Sequence, residues 1–577
     1  MGWGDWRRLL ETYLRPHLRL VVALGAVLFA TIGLQIATPQ IVRVLIDRAI
    51  HARGGLATLT MLYLAAVLLQ QGFAVLTAWI SEVVGWITTN ELRADLMAHC
   101  LALDPDFHKT HTPGELIERV DGDLNGLSMF FGELLLGVLG SVLLLIGVLT
   151  VVWIQHPFAG AMLTAFAIVG VAVLVAVRRV AANAWERARE SSAELFGFVE
   201  ERLAGIQDIR SSGAEPHTLR GFYGHARNRL LTVTRARILD AIPWTANGFV
   251  AAGALVVAFV VPAMLVRRGA ITVGAAFVLY FYTQLLMQPL ENVSRQVEQL
   301  QLAIAGGRRV VALLGLTSTM SDGPGAPLAE GALPVSFNNV TFGYGDDPAV
   351  LHDINIDVPA GSVLGVVGRT GSGKSSLARL VVRLHDVGEG AVEVGGVDVR
   401  SLRRKGLRER VALVTQEVHV LRATVRENLT LFDPTVADDE ILRAVARLGL
   451  TRWFSALPDG LDSVLREGGA GMSAGESQLL SFARAFLADP SVVILDEASS
   501  RLDPATEAVL ETAVDALLAG RTGIMIAHRL ATLTRCDRIC VLEHGRVVEY
   551  GERAALAADA TSRFGLLLRA GLDVAPG

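Results

Sequence analysis

The sequence predicts two domains of different class: an all-α polytopic membrane domain with six spans and long cytoplasmic extensions, followed by an α/β domain of the phosphate-loop type. Apolar runs of membrane-crossing length cluster before residue 306, and a glycine-rich loop between a strand-like and a helix-like stretch lies at 363–380. Composition agrees. With 52% hydrophobic and 19% charged residues and a mean hydropathy of +0.45, the chain is too apolar for an ordinary soluble protein. At 577 residues it also exceeds what one core organises.

The six spans are expected near Leu20 to Ile46, Ala57 to Ile87, Leu134 to Ile154, Phe158 to Val177, Trp244 to Val266 and Ala275 to Val297. Each holds about twenty apolar residues, enough for a hydrocarbon core of about 30 Å. The second and third spans, and the fourth and fifth, are separated by long polar helical stretches, while the other connections are short. Those stretches carry Arg93, Lys109 and Arg119, then Arg178, Arg179, Arg187, Arg189, Arg202, Arg210 and Arg220, which marks them cytoplasmic. Six spans return the C-terminus to the side of Arg7, Arg8 and Arg15; Arg267 and Arg268 fall outside as exceptions. The first apolar segment is longer than the core of a cleavable leader and reads as a true span.

Gly323 to Gly331, with Pro324 and Pro327, reads as a linker. The expected division is therefore a transmembrane domain at 1–314, a linker at 315–334 and a second domain at 335–577. Cys100, Cys536 and Cys540 form no disulfide framework or metal-ligand pattern, and the net charge of −5 argues for no nucleic-acid partner.

In the second domain, Val363 to Val367 leads into Gly368-Arg369-Thr370-Gly371-Ser372-Gly373-Lys374-Ser375 and then the helix-like run from Ser376 to Leu380. Strand, loop and helix in that order form the phosphate-binding loop of a nucleotide triphosphatase. The glycines let backbone N–H groups turn on to phosphates, Lys374 reaches the outer phosphates, and the Ser375 hydroxyl suits Mg²⁺. Downstream, the apolar run Val492 to Leu495 ends in Asp496 and Glu497, placing one carboxylate for Mg²⁺ and one to polarise an attacking water. His528 ends another apolar strand, Ile524 to Ala527, where it suits a γ-phosphate contact.

These motifs, with Met472-Ser473-Ala474-Gly475-Glu476, resemble the ATP-binding cassette (ABC) family. The family usually has Leu-Ser-Gly-Gly-Gln in this signature; Ser473 and Gly475 match it, and Ala474 and Glu476 depart. The resemblance implies that Ser473 to Glu476 contact ATP bound to an opposite subunit. It also implies Tyr344 stacking on adenine, Gln416 as the lining glutamine near Mg²⁺ and Asp503 bridging the two sites. Glu497 becomes the general base and His528 the γ-phosphate sensor. Six spans followed by one cassette resemble a half-transporter of the exporter class. Thr112 to Asp123 and Glu201 to Arg210 are similar to its two coupling segments, with Glu467-Gly468-Gly469 the cassette stretch that meets them.

The resemblance implies ATP and Mg²⁺ as ligands, a second half-transporter as partner and a bacterial cytoplasmic membrane with the N-terminus and cassette in the cytosol. The altered signature beside intact Glu497 and His528 resembles the catalytically intact chain of a heterodimeric exporter; a homodimer tolerates the small Gly to Ala change. A soluble repair or translation ATPase would lack the spans, and a scaffold with a dead cassette would lack Glu497 or His528. The implied cargo is an amphipathic drug, lipid, peptide or siderophore, with siderophore import and homodimeric lipid flipping as alternatives. In the sixth span, Tyr280, Gln284, Gln288, Asn292, Arg295 and Gln299 recur on one helical face. Of these, Gln284, Gln288, Asn292 and Arg295 are candidates for the substrate pathway, with hydrogen bonding between helices as the alternative.

Overall fold

A computed structural model describes the chain apart from residues 1–2, 53, 130–134, 346, 417, 467–471, 497–503, 528–529 and 571–577, with side chains undescribed in addition at 3–6, 8, 129, 135–136, 178–182, 290–291, 293–302, 474, 504–506, 530–531 and 570. The residues fall into two compact units: Met1–Leu101 with Pro113–Leu316, and Ala102–Thr112 with Thr317–Gly577.

The first unit is helical. After α1 (Trp3–Tyr13) come α2 (Leu18–Ile50) and α3 (Leu56–Ala102), the second running unbroken from its apolar half into a polar one. The short helix α4 (Pro105–Thr110) belongs to the other unit; α5 (Pro113–Ile117), a π-helical turn at Glu118–Gly122 and α6 (Asp123–Met129) follow. Then α7 (Leu135–Gln155), α8 (Pro157–Ala204), α9 (Ile206–Ser211), α10 (Glu215–Arg267) and α11 (Val273–Leu314) complete the unit. Among the described residues, five helical stretches are long and apolar enough to cross a membrane: Arg15–Ile50, Leu56–Ala102, Gly137–Gln155, Pro157–Val177 and Glu215–Arg267. The sixth predicted span lies in α11, where many side chains from residue 290 on are not described.

Large apolar side chains such as Leu68, Trp244 and Phe249 face outward from these helices, the pattern required where the solvent is hydrocarbon. Several polar groups inside are paired. Pro39 interrupts the hydrogen-bond ladder of α2, and next to that break the Tyr282 hydroxyl donates to the Ile36 carbonyl at 2.7 Å and accepts from Gln40 Nε2 at 2.8 Å. Asp47, near the end of α2, accepts from Gly274 N at 2.9 Å and Thr272 Oγ1 at 2.8 Å, so it caps α11 together with Thr272. At the other end, the buried Asp123 carboxylate takes a forked ion pair from Arg309 of α11, with Nε–Oδ2 at 2.8 Å.

The second unit holds two sheets. Strands β1 (Val335–Phe342), β2 (Leu351–Val358), β4 (Glu389–Val394) and β5 (Val397–Asp398) make one, in the order β2-β1-β4-β5 with antiparallel pairing. The other runs β10-β9-β3-β8-β7-β6, from β3 (Val363–Val367), β6 (Val411–Val414), β7 (Val492–Asp496), β8 (Thr522–Ile526), β9 (Arg538–Glu543) and β10 (Arg546–Glu552). Its strands β9, β3, β8, β7 and β6 are parallel, and β10 is an antiparallel edge. Helices α12 (Lys374–Val381), α13 (Arg404–Arg410), α14 (Val425–Thr430), α15 (Asp438–Arg447), α16 (Thr451–Ser455), α17 (Ala474–Leu487) and α18 (Pro504–Leu518) accompany them. Residues of β3 and β8 are buried throughout, which is why these strands read as continuous apolar runs rather than alternating ones.

The stretch expected as a linker lies along this unit. Gly323 N donates to Leu402 O, and Gly325 N and Ala326 N donate to Ser401 O, while Leu328 packs against the sheet core. Backbone hydrogen bonds fix a glycine- and proline-rich segment that has little side-chain means of its own.

The Arg309 and Asp123 pair is asymmetric, because the carboxylate is 5% exposed and the guanidinium 54%. Arg309→Ala strands a buried charge and is expected to destabilise the helical unit by about 3 kcal/mol, whereas Asp123→Asn leaves a hydrated cation and costs about 1 kcal/mol. Thermal unfolding of the two variants in detergent checks the order; equal midpoints would show that the pair contributes nothing.

Candidate functional site

Parallel register brings the predicted motifs to one edge of the six-stranded sheet. Val366 pairs with Ile526, Ile526 with Asp496, and Leu495 with Val414. The chain leaving β3 is the Gly368 to Gly373 loop, that leaving β8 is Ala527, β7 ends at Asp496, and Gln416 lies two residues past β6. Neighbouring strands stand about 4.8 Å apart, so Asp496, two strands from β3, lies within reach of anything held at the loop. Ligands of parallel α/β sheets bind at this carboxyl edge.

The loop is shaped for backbone approach. Gly373 has φ of +99°, and a Cβ there would lie 2.5 Å from Leu351 Cδ2; one on Gly368 would lie 2.2 Å from Leu542 O. Only glycine satisfies both positions. Lys374 opens α12 and is 5% exposed, with Nζ donating to Gly368 O at 2.7 Å and Arg369 O at 2.9 Å, so the ammonium lies folded over the loop it follows. Ser372 and Ser376 are buried beside it. This donor set, a glycine cradle with N–H groups at a helix start and one lysine, suits a polyphosphate.

Tyr344 stands at the same helix. Its hydroxyl shares a hydrogen bond with Ser376 Oγ at 2.9 Å and accepts from Arg379 Nη1 at 3.0 Å. Lys109 Nζ lies 4.0 Å from the Tyr344 ring centroid, a cation over an aromatic face. The sequence reading took Lys109 only as a cytoplasmic charge and missed this contact. Ala102–Thr112 groups with the α/β unit, and the Thr112 to Asp123 segment from Pro113 onward groups with the helical unit.

Two groups on this loop region have shifted acidities. Burial works against the charge of Asp104, yet hydrogen bonds from Ser318 and Thr319 outweigh it and hold its carboxyl below the usual carboxylate range. His385, buried against Asp106 with Nδ1 to Oδ2 at 3.2 Å, is pushed below the usual imidazole value by burial, which Asp106 opposes.

Ser473 and Glu476 open α17. The Glu476 amide donates to Ser473 Oγ at 3.2 Å and the Ser473 amide to Glu476 Oε2 at 2.7 Å, a reciprocal cap that satisfies two N–H groups at the helix start. Ser473 is exposed and Gly475 buried; the side chain of Ala474 lies outside the described residues. So do Glu497, Asp503, His528 and Glu467-Gly468-Gly469 in full. On α11, Tyr280, Gln284 and Asn292 are half-buried and Gln288 is exposed. The Gln284 Nε2 is buried and makes no hydrogen bond, and the Arg295 side chain is not described.

The capping geometry predicts a selective effect. Glu476→Gln retains an acceptor for the Ser473 amide and leaves stability nearly unchanged, while Glu476→Ala costs about 1 kcal/mol. Chemical denaturation of the purified protein, followed at the cassette transition, distinguishes them; equal losses would show that the cap does not stabilise α17.

Residues 21–290 match the family model described as ABC transporter transmembrane region, and residues 351–500 match that described as ABC transporter. An ATP-dependent lipid A-core flippase of Desulfotalea psychrophila is 30% identical over 86% of this chain and 87% of its own length. A multidrug efflux ATP-binding/permease protein of Mycobacterium bovis is 32% identical over 83% of this chain, which spans 40% of that protein. In fold, the chain is similar to an ATP-bound bacterial Atm1-family ABC exporter, with a TM-score of 0.78 over 96% of this chain and 97% of that one at 24% identity.

Proposed function

Since the chain belongs to the ABC transporter family, as an exporter-type half-transporter that spans the membrane, binds and hydrolyses ATP and works as a dimer, we propose a role for each part of its cassette and an amphipathic cargo. The observation that supports the cassette reading is the carboxyl edge of the parallel sheet, to which the strands leading into the phosphate loop, Asp496 and Gln416 all run.

In this reading Gly368 to Ser376 wrap the triphosphate, Lys374 unfolds from the Gly368 and Arg369 carbonyls to the outer phosphates, and Tyr344 lies against the adenine. Ser375, Gln416 and Asp496 would hold Mg²⁺, which supplies positive charge to bridging phosphate oxygens. Glu497 takes the proton of the attacking water, and His528 holds the γ-phosphate. Ser473, Ala474, Gly475 and Glu476 present the start of α17 to ATP on the opposite subunit, and Asp503 joins the two sites. Binding at both sites closes the cassettes; hydrolysis releases them.

Leu203 and Ile206 support a partner at the second coupling segment. They are exposed apolar residues on either side of the Gly205 break between α8 and α9, as a turn that rests on another cassette requires. We infer a bacterial cytoplasmic membrane with the N-terminus and cassette inside. Ala474 and Glu476 favour a heterodimer. The intact cap at Ser473 favours a second reading, a homodimer, because the start of α17 keeps its geometry despite both departures.

The cargo reading rests on the sixth-span stripe. The unpartnered Gln284 amide and half-buried Asn292 support a polar surface facing the pathway where two membrane domains meet, suited to amphipathic compounds of the classes that the efflux and flippase relatives are named for.

Glu497→Gln is expected to lower ATP hydrolysis by roughly 10²-fold with ATP binding retained, whereas Lys374→Ala weakens binding itself. Turnover assays paired with nucleotide binding test this, and near-normal turnover in Glu497→Gln removes it as the base. Expressed alone, the chain should hydrolyse ATP poorly and gain activity with an orthodox-signature partner; robust substrate-stimulated activity of the pure homodimer sinks the heterodimer. Gln288→Ala, Asn292→Ala and Arg295→Ala should change drug or lipid stimulation of ATPase activity while basal activity and assembly hold. Loss of assembly alone would make the stripe a helix contact.

A further inference from the structure

The backbone leaves the helical unit for the α/β unit after Leu101 and after Leu316, and returns after Thr112. One carboxylate fastens the two outgoing strands of chain together. Asp104, two residues past the end of α3, accepts from Thr319 N at 2.7 Å and Thr319 Oγ1 at 2.9 Å, and its other oxygen accepts from the Ser318 hydroxyl. Ser318 lies four residues past the end of α11. On the membrane side, His99 of α3 hydrogen-bonds the Leu313 carbonyl of α11 at 2.9 Å. Thus the second and sixth spans end together, and their continuations are bound again by Asp104.

Both continuations are then gripped by one turn, the residues that close α12. Arg383 donates to Ser321 O at 2.8 Å and pairs with Asp386, and His385 pairs with Asp106. Arg383 is an outlier. It terminates α12 in the left-handed region, φ +49°, with its amide bonded to Leu380 O and the Leu384 amide to Arg379 O. Those two bonds define a helix ending that normally takes glycine. An arginine with a 2% exposed side chain holds the position, and a strained residue persists only where its surroundings require it.

The opposite end of α12 is Lys374. We propose that Asp104 and Arg383 are positioning residues: they make 104–106 and 318–321 one clasp on the far end of the phosphate-loop helix, so that triphosphate at Lys374 is reported through α12 to α3 and α11 together. This rests on the reading of Lys374 as the ATP lysine. A shift of α12 on filling its N-terminal end bears on the segments that continue α3 and α11, because Asp106 and Ser321 in them are bonded to its C-terminal turn.

Hydrogen–deuterium exchange of the assembled full-length protein in lipid nanodiscs, with and without Mg²⁺ and the non-hydrolysable analogue AMP-PNP, tests this. In the unmodified protein the analogue should slow exchange at 368–376 and alter it at the cytoplasmic ends of α3 and α11. In Asp104→Ala and Arg383→Gly, protection at 368–376 should persist while the response of α3 and α11 falls about fivefold or more. Glycine suits φ +49°, so Arg383→Gly keeps the helix ending and removes only the grip. Ser318→Ala, which deletes one donor, should give a smaller loss and carries the test if Asp104→Ala fails to assemble. A full α3 and α11 response in these variants overturns the clasp. Loss of protection at 368–376 in them also overturns it, by showing that they merely fold the cassette. No protection at 368–376 in the unmodified protein would reject the nucleotide reading, and the clasp with it.

Discussion

The parallel register of β3, β8, β7 and β6 is the constraint on which the rest of the cassette depends. Hydrogen bonding sets the strands so that Val366, Ile526 and Asp496 stand at one level and Val414 one residue earlier, beside Leu495, and the predicted motif residues are the next residue or two along each chain. A one-residue slip in any pairing would turn its side chains to the opposite face and separate Asp496 from the phosphate loop. The apolar packing on both faces therefore holds the catalytic edge as well as the fold: Leu364, Val366, Ile494 and Ile526 lie in one buried cluster, and Val367, Val493, Leu495 and Met525 in the other.

A different solvent governs the helical unit. In hydrocarbon a polar group has no water to fall back on, and several polar residues of the helical unit are joined in pairs that also join helices. Tyr282 serves the carbonyl beside the Pro39 break, and Asp47 caps α11. Both link α2 to α11. With His99 on Leu313 and Asp123 on Arg309 nearer the cytoplasmic end, α11 is held along its length by other parts of the membrane unit. A helix so tied moves with its neighbours, which is what rigid-body alternation between two openings demands of a transporter.

The signature joins electrostatics to dimer chemistry. Glu476 completes the helix cap that glutamine would also complete, and it adds a negative charge at the positive end of α17. The local fold is unaffected by the departure from the family pattern. In the proposed reading, a carboxylate at this helix start faces the phosphates brought by an opposite subunit, and the two charges oppose each other.

Periodic and contiguous features were legible in the chain itself. Runs of about twenty apolar residues declare spans because lipid imposes that length, and the phosphate loop declares itself because Gly368, Gly373 and Lys374 must stand in fixed order around an anion. Membership of the family and the two-domain architecture followed from those residues. Contacts between residues distant in sequence were not legible. Lys109 over Tyr344, Asp104 holding Ser318 and Thr319, and Arg383 in a glycine conformation join positions whose neighbourhood no local pattern encodes. A segment expected as linker is bound by backbone hydrogen bonds that composition does not register. Sequence determined which elements form and what chemistry they carry, because both are set by local residue order. Tertiary structure alone decided which of them touch, because that depends on register, capping and the burial of single polar groups.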